Sequence, residues 1–208
     1  MKTVLFIHRS VGHHLIEQGH LRELLKDKAI DFDDYDNNSG ILTRSDATSA
    51  NDAISMPGNN TNPNNLAEFF SGWPELLNSY DLIMVKSCYP NSHIKDEAQL
   101  DKIKSSYNSI IKAFNDHNKR LLILTSPPLR PLFTNQTEAR LSGELADWLT
   151  SVAGGNVQVF DFHHALAETD GRHKGMLKRK YRRLLPFDNH PNQKAHETIA
   201  PQVVDVIR

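Results

Sequence analysis

The sequence predicts an α/β fold: a three-layer α/β/α sandwich around a central, mainly parallel sheet of five strands. Two observations carry this. Short, continuous apolar runs of the kind shown by strands buried on both faces recur along the chain, and longer stretches with helical spacing of apolar residues separate them. Parallel neighbours need such crossovers, and the crossovers are right-handed, so helices come to cover both faces of the sheet. At 208 residues the chain fits one domain, 1–208, with a substantial core.

The first strand is Val4-Leu5-Phe6-Ile7, which stops at His8-Arg9-Ser10-Val11-Gly12. Leu15, Ile16, Leu21, Leu24 and Leu25 then recur at helical spacing, which predicts one helix from about His13 to Lys28. Ser10 therefore falls on a strand-to-helix turn. Ile30 to Tyr35 reads as a second strand, and its Asp31, Asp33 and Asp34 suit an edge position. The polar region from Asp36 to Asn65 is long for a loop in a compact domain and suits a pocket wall. Leu66 to Leu77 predicts a helix broken near Gly72 and Pro74, with Phe69, Phe70 and Trp73 as core.

Leu82 to Val85 is the next buried strand, followed by a helix from Asp96 to Asn118 with Leu100, Ile103, Tyr107, Ile110 and Phe114 on one stripe. Leu121 to Leu124 is a strand closed by Ser126-Pro127-Pro128. A helix from Glu138 to Ser151 ends before Gly154-Gly155, Val157 to Phe160 is the last strand, and Gln193 to Ile207 is the closing helix.

Composition narrows the partners. The 24 Lys plus Arg against 25 Asp plus Glu leave a formal net charge of −1, no field for drawing in nucleic acid or a membrane. The run Arg172–Arg183 is a local exception, read as a solvated helix face. Cys88 is the single cysteine, so no intrachain disulfide and no structural thiolate zinc site are expected; Cys88 itself reads as a small buried hydrophobe. His13-His14 and His163-His164 are adjacent pairs, which on a helix point about 100° apart and do not present two ligands on one face, so no metal or other cofactor is expected. No apolar run is long enough for a signal peptide or a membrane span, and no amphipathic surface helix suits a lipid interface. The expectation is a cytoplasmic protein.

In an open parallel sheet, ligands bind at the carboxyl ends of the strands, beside the point where strand order reverses. Ser10 lies after the first strand, Ser87 to Ser92 after the third, and the turn Phe187-Asp188-Asn189-His190-Pro191-Asn192 precedes the last helix. A serine at one such turn, with an imidazole and a carboxylate at another, supplies a nucleophile, a base and its orienter. Each has a plainer reading. Ser10 suits a helix N-cap, Asp188 a turn-forming residue, and Lys86 at its strand end a snorkelling surface cation.

Arg9-Ser10-Val11-Gly12 after the first strand, Pro127-Pro128 after a later one and the His190-Pro191-Asn192 turn give a layout that resembles the SGNH, or GDSL-like, hydrolase superfamily. The resemblance follows nearly the whole chain in order of elements. It implies a flavodoxin-like α/β/α fold and a serine esterase acting on a small acyl group such as acetyl, on a small-molecule or carbohydrate ester. It also implies Ser10 as nucleophile, His190 as base and Asp188 as the acid behind it. The oxyanion would be met by the N–H of Ser10, the N–H of Gly40 or Gly58, and Asn91. The sequence departs from the family pattern in having His8-Arg9 before the serine and in setting Asp188 two residues before the histidine instead of three. A catalytically idle relative that binds a glycan or another small ligand is the rival. A phosphate-binding module is disfavoured, because no Gly-rich loop follows the first strand.

Overall fold

The computed structural model describes residues 2–45, 54–55, 74–86, 88–89 and 92–207. Its sheet contains β1 (Lys2–His8), β2 (Ile30–Asp36), β3 (Ile41–Thr43), β4 (Ile54–Ser55), β5 (Leu82–Lys86), β6 (Arg120–Leu124) and β7 (Val157–Phe160), in the order β4-β3-β2-β1-β5-β6-β7. The five strands expected from sequence form the parallel core, from β2 to β7. Two short strands, β3 and β4, extend it antiparallel beyond β2.

This extension corrects the placement of β2, which is an interior strand paired on both sides. Its acids have partners that a strand pattern does not reveal. Asp34 takes the buried His8 Nε2 at 3.0 Å and the Arg22 guanidinium, while Asp33 accepts from the Tyr80 hydroxyl at 2.6 Å and the Ser45 N–H at 2.6 Å.

Alternation along the strands divides the core into two layers. Val4, Phe6, Met84 and Leu122 face α1 (Ser10–Glu17), α2 (Leu21–Lys26) and a C-terminal helix at Gln193–Ile207. Leu5, Ile7, Ile83 and Ile123 face two longer helices, Glu97–Asp116 and Gln136–Ser151. In chain order the remaining helices are α3 (Pro74–Ser79), α4 (Glu97–Asp116), α5 (Gln136–Ser151), α6 (Phe162–Leu166) and α7 (Gln193–Ile207). Asp96 and Asn135 cap α4 and α5 by accepting the N–H groups of Gln99 and Glu138.

The single helix expected over His13 to Lys28 is two. His20 takes a left-handed φ of 55°, and the chain turns at Gly19, where a Cβ would stand 2.9 Å from the His196 carbonyl oxygen of α7. Phe69, Phe70, Trp73 and the first eight residues of the helix expected at Leu66 to Leu77 lie outside the described residues, while its last four, from Pro74, begin α3. Arg172–Arg183 is not a helix face either: it folds as two 3₁₀ turns, Gly171–His173 and Arg179–Tyr181, tied down by its own cations. Lys178 Nζ donates to the Ala165 carbonyl and Arg182 Nε to that of Leu177.

Candidate active site

The strand order reverses between β1 and β5, so the carboxyl ends of these two strands form the switch point of the sheet. Ser10 and Cys88 sit there, with Oγ and Sγ sharing a hydrogen bond at 3.4 Å. Ser10 is not the N-cap of α1: Arg9 occupies that position in extended conformation, and no side chain caps the helix. The first helical bond runs from His13 N–H to the Arg9 carbonyl, so the N–H groups of Ser10, Val11 and Gly12 lie outside the intrahelical ladder.

The Asp188 turn reaches the same edge. Asp188 Oδ1 accepts two hydrogen bonds from His190, one from the backbone N–H at 2.9 Å and one from ring Nδ1 at 2.7 Å. A two-residue spacing thus lets one carboxylate oxygen close the turn and orient the imidazole together. The other oxygen, Oδ2, meets Arg183 Nη1 at 3.1 Å. Burial pushes the Asp188 carboxyl upward, but the His190 hydrogen bonds and the Arg183 charge outweigh it and hold the group below the ordinary carboxylate range.

With Nδ1–H given to Asp188, Nε2 of His190 carries the free lone pair. That nitrogen is buried and has no hydrogen-bond partner among the described residues. The ring stands edge-on to His14, with centroids 5.1 Å apart, and to Tyr89 at 5.3 Å. His14 lies one helical turn beyond Ser10 on α1, and Tyr89 follows Cys88, so the imidazole packs against both elements that carry the serine and the thiol. Arg183 Nη2 approaches His14 Nε2 at 3.3 Å, and burial together with that cation lowers the His14 pKa to about 4.

The structure brings Asp188 and His190 into direct contact and sets Ser10 on the adjoining helix, its hydroxyl turned to Cys88. Gly40 lies in the turn after β2 with φ 71° and gives its N–H to the Asp36 carbonyl at 2.8 Å. Gly58 and Asn91 lie outside the described residues. Among the described residues no group of three or more His, Cys, Asp or Glu gathers to hold a metal ion, and no helix is long and apolar enough to cross a membrane.

Sequence reasoning missed Arg183, hidden in a basic run, and misjudged Lys86. The latter is no surface cation: it is 1 % exposed, donates to the Thr125 carbonyl at 3.0 Å and lies 3.8 Å above the Phe162 ring. Burial draws its pKa down to about 7, against an opposing contribution from Cys88.

Comparison with known proteins gives the fold. No protein-family model matches the sequence, and no curated protein matches it. Solved structures do. A carbohydrate esterase family 3 structure from Talaromyces cellulolyticus superposes with a TM-score of 0.62 at 15 % identity, over 100 % of this chain and 96 % of that one. The psychrotrophic esterase EstA from a Pseudoalteromonas species gives 0.60 at 12 %, over 100 % and 97 %. A GDSL-like lipase from Bacteroides thetaiotaomicron gives 0.59 at 10 %, over 100 % and 89 %. The chain has the fold of the SGNH hydrolases.

Proposed function

We propose that this chain is a divergent SGNH serine esterase that cleaves a small acyl ester, with Ser10, His190 and Asp188 as its catalytic residues. The observation that carries the reading is the Asp188–His190 pair, which leaves a buried Nε2, unpartnered among the described residues, beside the helix that Ser10 begins. Ser10 Oγ turns from Cys88 toward Nε2 and attacks the ester carbonyl while His190 takes its proton. The proton then passes to the departing alcohol, and water, deprotonated by the same nitrogen, releases the acid from the acyl-serine. Asp188 keeps Nδ1 protonated throughout and stabilises the imidazolium. The N–H of Ser10, outside the helical ladder, meets the oxyanion, with Gly58 or Gly40 and Asn91 as further donors; Gly40 would first release Asp36.

The substrate reading, an acetyl or similarly small ester with a carbohydrate among the possible alcohols, is supported by the named activities of structural neighbours, which include an acetyl xylan esterase and an acetyl esterase. A cytoplasmic setting belongs to the same proposal, and the free thiol of Cys88 permits a reducing compartment. The test is hydrolysis of p-nitrophenyl acetate by wild type and Ser10→Ala. The variant is expected to lose about 1,000-fold or more in kcat at unchanged fold. An organophosphonate is expected to add its mass to Ser10, the class of reagent that inhibits the Pseudoalteromonas enzyme. An unchanged rate in the folded variant overturns the proposal.

One observation favours a second reading. A cavity of about 630 Å³, whose largely apolar walls also carry Arg140, Glu144, Asp147 and Lys174, offers both an apolar face and hydrogen-bonding groups to a sugar-like ligand. In that reading the chain binds a glycan without cleaving it, and Ser10 stays bonded to Cys88.

A further inference from the structure

Among the described residues five large apolar side chains are exposed, and four of them frame the turn that carries Asp188 and His190. They are Leu184 at 102 %, Phe187 at 83 %, Leu185 at 71 % and Leu132 at 62 %. Three of them sit on two matching turns, and Leu184 directly precedes one of these. Asp188 N–H donates to the Leu185 carbonyl at 3.3 Å, and Phe133 N–H to the Arg130 carbonyl at 2.9 Å. Each turn has a proline at its second position, Pro186 or Pro131, which fixes φ, and an exposed apolar residue at its third, Phe187 or Leu132.

Arg130 ties the two turns together. Its guanidinium donates to the Leu185 carbonyl at 2.6 Å and the Asp188 carbonyl at 2.8 Å, and its backbone N–H donates to Asn189 Oδ1 at 2.9 Å. The apolar tips are therefore held on a rigid mount. Single exposed apolar residues are ordinary on a protein surface, whereas a group of four held at one rim marks a docking surface.

The charge beside the rim indicates what docks. Arg172–Arg183, which leads directly into Leu184, holds seven Lys or Arg and no Asp or Glu in a chain whose net charge is −1. Arg172, Lys174, Arg179 and Lys180 are exposed, and the Asn192 amide binds the Lys180 and Arg182 carbonyls to the His190 turn. Cations of one sign flanking apolar tips match a uniformly anionic, apolar-backed surface better than a protein partner of mixed charge.

We infer that this rim docks the protein onto an anionic lipid surface, with Leu132, Leu184, Leu185 and Phe187 entering the headgroup–acyl boundary and the basic run meeting lipid phosphates. The sequence expectation of no membrane partner looked for an amphipathic helix, whereas the surface here is built from two proline turns. Docking so close to Asp188 and His190 would set the site mouth at the interface.

Co-sedimentation with unilamellar vesicles tests this apart from any turnover. Wild type is expected to pellet with phosphatidylcholine mixed with an equal amount of phosphatidylglycerol, to stay in solution with phosphatidylcholine alone, and to be released by high salt. Leu184→Ser combined with Phe187→Ser, and separately Arg179→Glu combined with Lys180→Glu, should each lower partitioning about tenfold or more, with unchanged circular dichroism. The inference is overturned if wild type stays in solution with the anionic vesicles, if it binds neutral vesicles equally, or if both variants bind as wild type does. Self-association that the Leu184 and Phe187 substitutions abolish, without vesicle binding, would overturn it in favour of an interface between copies.

Discussion

Asp188 holds His190 through a single oxygen: Oδ1 accepts both the ring Nδ1–H and the backbone N–H of His190, leaving Oδ2 for Arg183. This division makes Asp188→Asn a sharp test. An asparagine must turn its amide nitrogen either to Arg183, where two donors would face each other, or to His190, where it would face the backbone N–H and force the ring into the wrong tautomer. The second arrangement keeps the cation satisfied. The expected outcome is a loss of about 1,000- to 10,000-fold in kcat on p-nitrophenyl acetate with the fold retained. A variant that keeps half of the wild-type rate would remove Asp188 from the mechanism.

Arg183 adds to the two His190 hydrogen bonds in holding that carboxylate ionised. Burial alone would raise the Asp188 carboxyl, and the guanidinium is one of the groups that bring it down. Arg183→Met removes a cation beside the hydrogen-bonded Asp188–His190 pair, so the pair as a unit takes up its proton at higher pH and activity is lost earlier on acidification. The acid limb of kcat/KM is expected to move upward in Arg183→Met and to return most of the way in Arg183→Lys, which restores the charge without the two-pronged geometry. Evenly reduced activity at every pH would show a role in packing only.

The parallel core was legible because its strands are buried on both faces, and unbroken runs such as Leu121 to Leu124 follow from that burial. Helices α4, α5 and α7 were legible because each sets an apolar stripe against the sheet. What stayed hidden depends on partners distant in sequence. The acids of β2 look like an edge until His8, Arg22 and Tyr80 are seen to hold them. Lys86 looks like a surface cation until Thr125 and Phe162 enclose it. At the site, Ser10 and His190 were readable as polar residues on turns beside the sheet. Arg183 could not be picked out of a run of seven cations, since only the fold shows which of them reaches Asp188.

Two buried histidines make the fold acid-sensitive. Burial, first, and neighbouring cations lower His163 from 6.5 to about 4 and His196 from 6.5 to about 3. Between these folded values and 6.5 the unfolded chain binds more protons than the folded one, so stability is complete above the unfolded value and falls as pH drops. At about pH 5 each histidine has lost roughly 2 kcal/mol of its contribution. Urea unfolding should show a lower midpoint at about pH 5 than at about pH 7.5, with a similar slope. His196→Leu should flatten the dependence, and a midpoint independent of pH in wild type would contradict the assignment.

Gly12 fixes where Ser10 stands. An ideal Cβ on Gly12 would lie 2.3 Å from His8 Cβ, 2.8 Å from His8 Cγ and 3.1 Å from Phe6 Cζ, so the first turn of α1 rests directly on the end of β1. His8 cannot yield easily, being buried and bonded to Asp34. Alanine is better than glycine inside a helix by about 1 kcal/mol. At Gly143, where a Cβ would meet nothing nearer than the His164 Nε2 at 3.7 Å, that preference should appear as a modest gain in stability. At Gly12 the overlap outweighs it: Gly12→Ala must lift α1 from the sheet, at a cost of about 1 to 3 kcal/mol. The lift carries Ser10 with it, and a displacement of about 1 Å at a reacting group lowers the rate by about 100-fold. Urea midpoints and p-nitrophenyl acetate rates for Gly12→Ala and Gly143→Ala measured side by side check both halves, and equal behaviour of the two variants would show that α1 is not held in this way.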